Sequence, residues 1–363
     1  VVRALEAPVS STASLGWWIA AGIALGAAFS SKYTSILLPV GVTIAIVTRP
    51  SLRARLRDPG PYAACAAAIL VFLPVLAWNA HHDWISFTFQ LHHGLGAPKG
   101  SPFKRELDLI GGQAGLATPI LFVLLAIAAW RAFRAPASDM HYVLAVVALT
   151  CVAMFVFSAF RRPVEANWPA LAYIPAVPLL AATDWSTRAR TWLRWGVALA
   201  VAVSAVVYVQ SVRPILPLPA RRDPVARSAG WDQLADSVAA ASARIAAQGH
   251  HVWAGGDRYQ DASELAWFLP GRPQTFSMNI GGRANQYDLW PGFPVLAHHG
   301  DDLVLALDEV PEPHQTAVQL GAYFESLEKG SLVRMTRRDG DVAALRRIWI
   351  LRGWKGGWPS RAP

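Results

Sequence analysis

Cysteine is nearly absent: 363 residues hold two, Cys65 and Cys151, and both fall inside apolar runs. A disulfide framework is excluded, and neither thiol reports on an oxidising compartment. Charge is scarce too, with 16% Asp, Glu, Lys and Arg against 53% hydrophobic residues. The chain has no Gly-rich phosphate loop and no H-E-x-x-H helix, so nucleotide-dependent and zinc-hydrolase chemistry have no motif to rest on. It also has no internal repeat, and no Met or signal peptide opens it. Val1 reads as the interior of a longer chain, natural or artificial.

What is present divides in two. Residues 1–212 are dominated by Ala, Leu, Val, Ile and Trp, whereas residues 213–363 have the mixed composition of a water-soluble domain. Seven apolar segments fill the first part: Leu15–Phe29, Tyr33–Val47, Tyr62–Trp78, Ala114–Trp130, Tyr142–Phe160, Ala166–Ala182 and Trp192–Val212. A bilayer crossing takes roughly 20 residues, with about 17 near the lower limit. The first two segments are separated only by Ser30-Ser31-Lys32. As one straight helix they would reach about 50 Å, too long for a single crossing. A tight hairpin turning at Lys32 is expected, with a broken helix as the alternative.

Arginine sets the orientation. Arg49, Arg53, Arg55 and Arg57 follow the second segment, Arg131 and Arg134 the fourth, and Arg188, Arg190 and Arg194 lie between the sixth and seventh. By the positive-inside rule these three loops are cytoplasmic. Lys32, Asn79–Gln113, the Arg161–Glu165 turn and everything after Val212 then share the outer side. Topology thus accounts for most of the net charge of +9, which is no argument for nucleic acid.

The domain plan is a membrane core over 1–212, a Pro-rich linker over 213–229 and an extracytoplasmic α/β domain over 230–363. In the last, helices are expected at Asp232–Ala247, Ala262–Phe268 and Val318–Leu327. Strands are expected at His251–Ala254, Gln274–Met278, Leu303–Leu307, Leu332–Met335 and Leu345–Leu351. Asp257 is read as a helix N-cap and Asp301-Asp302 as a turn.

Few residues outside the apolar runs suggest chemistry. Lys32, beside Tyr33, sits at a membrane boundary, where an ammonium either snorkels to water or captures a lipid phosphate. The segment Trp78-Asn79-Ala80-His81-His82-Asp83-Trp84 mixes aromatic and polar side chains, which suits an interfacial belt or a cleft for sugar rings. His81, His82, Asp83, His92 and His93 suggest a metal, but adjacent His pairs are poor ligand spacing and no Cys supports zinc. Arg161 and Arg162 defy the charge rule on the outer side; they either hold an anion or pair with Glu165. Asn167 and Trp168 either line the same cleft or merely start the next helix. In the tail, Tyr287 and Asp288 belong to a polar-aromatic loop suited to an acceptor.

Taken in order, several of these stretches resemble bacterial glycosyltransferase family 39, which includes relatives of protein O-mannosyltransferases and of lipid A aminoarabinose transferase. The resemblance rests on Gly22–Gly26 leading into Ser31-Lys32-Tyr33-Thr34, on Arg57-Asp58-Pro59-Gly60-Pro61-Tyr62, and on Phe72-Leu73-Pro74 through Trp78-Asn79. It continues through Trp84 with Ser86-Phe87, Glu165 with Asn167-Trp168-Pro169, and Gln286–Gly292. It implies a GT-C-like helical core with a C-terminal α/β domain in a bacterial inner membrane. Such enzymes transfer a sugar from a polyprenyl-phosphate donor to a lipid, glycan or protein acceptor, with inversion. Beside the resemblance, the residues themselves make Lys32, Tyr33, Arg161 and Arg162 candidates for the donor-phosphate site, as outer-side groups able to stabilise a leaving phosphate. His82, Asp83, Trp84, Glu165, Asn167, Trp168, Tyr287 and Asp288 are the candidates for the sugar and acceptor cleft. No cofactor is required; a divalent metal has no ligand set to support it. The family's catalytic carboxylate lies in a loop preceding the hairpin, upstream of Val1, so Asp83 and Glu165 do not match it and the fragment alone is expected to be inactive. Competing classes are a non-catalytic membrane-anchored binding or assembly protein and, with few ionisable residues inside the spans, a lipid-linked sugar transporter.

Overall fold

The computed structural model describes residues 1–95, 101–310 and 314–359. The chain forms two compact units, Val1–Val203 and Ser204–Pro363.

The first unit is helical throughout: α1 (Val2–Glu6), α2 (Thr12–Ser31), α3 (Leu37–Thr48), α4 (Pro59–Ala80), α5 (Ile85–Leu95), α6 (Pro102–Ala117), α7 (Pro119–Arg134), α8 (Asp139–Ala159), α9 (Ala170–Ala182) and α10 (Thr187–Val212), the last running on into the second unit. In a bilayer only structures that satisfy their own backbone hydrogen bonds can cross, and all seven apolar segments are indeed helical. Among the described residues, α2, α4, α8 and α10 are long and apolar enough to span. Their outward side chains, such as Leu70, Trp195 and Val201, are apolar and exposed, as lipid contact requires.

The other three segments are shorter. The 3₁₀ turn Tyr33–Ile36 leads into α3, and a bend of 114° separates that arm from the 3₁₀ stretch Pro50–Arg57. The expected span Ala114–Trp130 is interrupted: the chain bends by 105° between α6 and α7. Thr118 stands at the bend with φ 64°, and a residue preceding proline is barred from continuing a helix. The sixth helix starts at Ala170, after Pro169 rather than at Ala166.

The helix break at Lys32 falls where the sequence placed it, but the two arms take separate partners. α2 packs on α4 and α3 packs on α8. Along the first pair, Trp18 meets Gly60, Gly22 meets Ala64, Gly26 meets Ala68 and Phe29 meets Phe72. Both sequence numbers rise together, so α2 and α4 are parallel. A Cβ on Gly22 would lie 2.2 Å from the Ala64 carbonyl oxygen, and one on Gly26 would lie 2.6 Å from that of Ala68. Small residues permit this close approach, which membrane helices use in place of a hydrophobic driving force. Along the second pair, Arg49 joins Asp139 at 2.8 Å and Gly41 touches Val147. α3 therefore descends as α8 ascends, and the start of α3 lies at the same end as the C-terminus of α8.

This register gives the first unit two ends. At one, the Arg-rich loops are tied together. Besides the Arg49–Asp139 pair, the Arg131 guanidinium donates to the Asp184 carbonyl at 3.4 Å and lies over the Trp185 ring. Buried Arg55 pairs with Asp58 at 3.1 Å and donates to the Leu5 and Ala7 carbonyls. Lys32 and the Arg161–Trp168 turn stand at the other end.

The second unit is a five-stranded sheet. It comprises α11 (Trp231–Ala246), β1 (Val252–Gly256), α12 (Tyr259–Phe268), β2 (Thr275–Ser277), α13 (Phe293–Leu296), β3 (Asp302–Asp308), α14 (Gln315–Gly321), β4 (Phe324–Thr336) and β5 (Val342–Trp354). The strand order is β2-β1-β3-β5-β4, with β1 parallel to β2 and β3, and β5 antiparallel to β3 and β4. β3 is buried on both faces, as a central strand in a covered sheet must be. Val304 and Ala306 pack under α11 and α12, while Leu303, Leu305 and Leu307 join Phe293, Leu320 and Phe324 on the other face.

The helix expected at Val318–Leu327 ends at Gly321, because Phe324 already pairs with Trp354 in the β4–β5 hairpin. Asp301 and Asp302 are more than a turn. Asp302 is fully buried and accepts from Arg352 at 3.0 Å and the Gly353 N–H at 2.7 Å; Asp301 accepts from Trp253 Nε1 at 2.8 Å. Asp257 accepts from the Thr316 hydroxyl at 2.8 Å, and the residue at the N-cap of α12 is Arg258.

The segment after α10 is fixed at several points. Gln210 donates to Asp223 at 2.7 Å and accepts from the Ile215 and Leu216 N–H groups, and Arg337 reaches Asp223 at 2.8 Å. The Gln210 amide, against the penalty of burial and together with the Val225 N–H and Arg337, holds the Asp223 carboxyl below the usual range. A depressed carboxyl favours the folded state above its unfolded pKa near 3.9, and that contribution is lost as pH falls through the folded value.

Two outcomes are expected. Gly22→Val forces α2 from α4 and lowers stability by about 1–3 kcal/mol or more, whereas Gly16→Ala, with open space around it, leaves thermal unfolding in detergent unchanged. Asp223→Asn makes the loss of stability on acidification below about pH 4 shallower than in the parent, as followed by calorimetry; an identical slope contradicts the assignment.

Candidate functional site

The end of the first unit opposite the Arg-rich loops collects most of the sequence-nominated residues. Lys32 is the C-cap of α2, in extended conformation and exposed. The next residue anchors it: the Tyr33 ring stacks on Phe87 with centroids 5.0 Å apart and meets Phe72 edge-on at 6.0 Å. Phe29 and Trp84 complete the cluster, at 5.7 Å from Phe72 and 5.9 Å from Phe87. The proposed phosphate lysine and the proposed sugar tryptophan are thus joined through one aromatic patch, contributed by α2, α4 and α5.

The turn carrying His82, Asp83 and Trp84 is held from beneath. Asn79 is fully buried; its carbonyl accepts from the Trp84 N–H at 2.9 Å, its Oδ1 from the Ser86 N–H at 3.2 Å, and its Nδ2 donates to the Val75 carbonyl. His82 stacks on Trp78 at 4.0 Å, with Nδ1 2.8 Å from the Trp78 carbonyl oxygen. Asp83 and Trp84 both have positive φ, 52° and 57°. Two consecutive left-handed residues other than glycine cost of order 1–2 kcal/mol each, and such strain gathers at ligand-binding segments. Both side chains are exposed.

The Arg161–Trp168 turn is secured by α6. The buried Arg105 guanidinium donates to the Ala159 and Phe160 carbonyls, closing the C-terminus of α8. Gln113 donates to the Ala166 carbonyl at 2.8 Å and accepts from the Tyr173 hydroxyl at 3.0 Å. Arg161 lies over the Phe157 ring, and Glu165 and Asn167 are exposed. Arg162 makes no ion pair with Glu165, and its Nε is buried without a hydrogen-bond partner among the described residues. Thr34 Oγ1 and Glu106 Oε1 are likewise buried and unpartnered. Unsatisfied buried polar atoms each carry a penalty of about 1–3 kcal/mol.

Arg105, Glu106 and Gln113 were not singled out from sequence, and Asn79 and Thr34 appear there only within longer stretches, with no site role of their own. For Arg105 the readable signal was a cation on the outer side of the topology, the same anomaly that drew attention to Arg161 and Arg162. Tyr287 and Asp288 belong to the second unit. Asp288 accepts from Asn279 at 2.9 Å and from the Asn285 N–H at 2.6 Å, closing its loop. Among the described residues, no group of three His, Cys, Asp or Glu side chains is placed to hold a metal. The side chains of His92 and His93 lie outside the described ones.

Replacing strained Asp83 by glycine is expected to raise the melting temperature, by up to about 1 kcal/mol of stability. Asn79→Ala should cost about 1–3 kcal/mol by orphaning the Ser86 N–H, while the Trp84 N–H keeps its backbone acceptor. Thermal unfolding in detergent measures both; a destabilised Asp83→Gly protein contradicts the strained-turn reading.

Comparison with known proteins follows the same residues. The model of the family described as dolichyl-phosphate-mannose-protein mannosyltransferase matches residues 2–78, a stretch that contains Lys32 and Tyr33. The lipid A galacturonosyltransferase RgtD of Rhizobium johnstonii is 29% identical over 163 residues, 44% of this chain. That match spans 34% of the relative's length. The fold is similar to the crystal structure of ArnT from Cupriavidus metallidurans bound to undecaprenyl phosphate, with a TM-score of 0.51 and 18% identity. That likeness covers 98% of this chain and 72% of the other. Residues 2–78 are thus similar to that mannosyltransferase family, and the fold is similar to that of ArnT.

Proposed function

We propose that this chain is a membrane glycosyltransferase that moves a sugar from a polyprenyl-phosphate donor to an extracytoplasmic lipid, glycan or protein acceptor, with inversion. The observation that carries this reading is the convergence at one end of the first unit. Tyr33, the neighbour of Lys32 in the chain, reaches Trp84 through Phe87, and Arg162 stands at that end with a buried Nε that has no partner among the described residues.

The chemistry follows from those groups. The acceptor hydroxyl attacks the anomeric carbon from the face opposite the phosphate, a carboxylate takes its proton, and the bond from carbon to phosphate oxygen breaks. Negative charge gathers on the departing phosphate. Lys32, Arg161 and Arg162 supply positive charge where it develops. Tyr33 flanks the phosphate, while His82, Trp84 and Trp168 line the sugar and Asp83, Glu165 and Asn167 border the acceptor. The tied Arg-rich loops are read as the cytoplasmic face of a multi-pass protein in a bacterial inner membrane, with the second unit on the periplasmic side. The relatives support the donor class: one is a lipid A galacturonosyltransferase, and the ArnT structure holds undecaprenyl phosphate.

The test is sugar transfer from a radiolabelled polyprenyl-phosphate donor in membranes containing the full-length protein that carries this sequence. Lys32→Ala and Arg162→Ala should each lower turnover by about 10²-fold, and Lys32→Arg should recover part of it. Unchanged donor affinity and turnover in both alanine variants would overturn the phosphate-site assignment.

A further inference from the structure

The second unit contains a cavity of about 450 Å³ between α12, β2 and the loop leading into α13. Its size is that of an ordinary small-ligand site, typically about 300–1,000 Å³. Phe276 lies at its buried base, and the half-exposed Trp290 ring and the Tyr287 ring stand at its side, edge to face at 5.2 Å. Gln274 and Ser277 supply polar atoms, and among the described residues no charged side chain lines it.

Its polar groups differ in what they still have to offer. Thr275 Oγ1 donates to the Ala262 carbonyl at 2.6 Å, and Tyr287 Oη lies 3.1 Å from Ser263 Oγ. Ser277 Oγ is buried, out of reach of a ligand in the cavity, whereas Gln274 is an exposed amide in the lining. The neighbouring Asp288 carboxylate is engaged by Asn279 and the Asn285 N–H, and Asn285 Oδ1 accepts from the Tyr287 N–H at 2.9 Å. These bonds fix the loop that carries the two rings, so the cavity is preformed.

A ligand for this cavity must be uncharged, because a buried phosphate or carboxylate would find no cation. It must present an apolar face to Trp290 and Tyr287 and a hydroxyl to the Gln274 amide. A neutral pyranose has both. We propose that the second unit binds a neutral sugar, separately from the charged donor site of the first unit. Resting on the transferase reading, that sugar is a unit of the acceptor.

The test is saturation-transfer NMR on the full chain in nanodiscs, with methyl glucoside, methyl galactoside and methyl mannoside as probes and methyl galacturonoside as the charged control. At least one neutral glycoside should receive saturation on its ring C–H protons, and the galacturonoside should not. Trp290→Ala should weaken the signal about tenfold and Gln274→Ala about fivefold, while exposed Trp267, outside the lining, should tolerate alanine. Saturation of no neutral glycoside, equal saturation of the galacturonoside, or full signal in both Trp290→Ala and Gln274→Ala would overturn the proposal. Should Trp290→Ala fail to fold, Gln274→Ala alone decides. Binding does not require turnover, so a protein that binds neutral glycoside but transfers no sugar keeps the site and loses only its acceptor role.

Discussion

The seam between α2 and α4 governs the position of the candidate site. Gly22 and Gly26 lie against Ala64 and Ala68 so closely that a single added carbon would collide with backbone. Lipid gives two apolar helices little reason to associate, so this contact rests on shape and dispersion. Its parallel register carries Phe29 to Phe72 at the seam's upper end and sets Tyr33 on Phe87 just beyond. Lys32 is thereby placed beside the aromatic patch, with no ion pair among the described residues. A different register along the seam would carry the lysine away from Trp84.

Polar contacts then do for the loops what packing does for the helices. Asn79 fixes the strained Asp83–Trp84 turn, and Arg105 and Gln113 fix the turn bearing Arg161 and Arg162. Both sets are buried, where a satisfied hydrogen bond is strong and an orphaned one is costly. Opposite them, the ties from Arg49 to Asp139 and from Arg131 to Asp184 gather the Arg-rich loops at one end. Cations on the other side are few and expensive at an apolar boundary unless an anion meets them. That asymmetry gives Lys32 and Arg162 a functional rather than a topological reading.

The sequence made legible whatever depends on local composition. The seven apolar runs, the helix break at Lys32 and the grouping of Arg-rich loops all follow from hydropathy and charge over short windows. The bend at Thr118 was missed because the apolar run continues through it, although Pro119 was the available signal. Arg105 and Gln113 were missed because their partners, Ala159 and Ala166, lie more than 50 residues away. In the second unit, β4 is an edge strand with Glu328, Lys329 and Arg334 on its exposed positions. Its apolar alternation is therefore weak, and its first residues read as the end of a helix. Asp302 looked like a turn residue because nothing local reveals that Arg352 and Gly353, 50 and 51 residues on, come to meet it.

The most direct measurement is photocrosslinking with a polyprenyl phosphate carrying a diazirine on its first isoprene unit, followed by peptide mapping. The account predicts labelled peptides containing Lys32 and Tyr33, the 84–87 segment and Arg161–Trp168, with labelling competed by unmodified polyprenyl phosphate. Competed labelling confined to the Arg49–Arg57, Arg131–Arg134 or Arg188–Arg194 loops would contradict it.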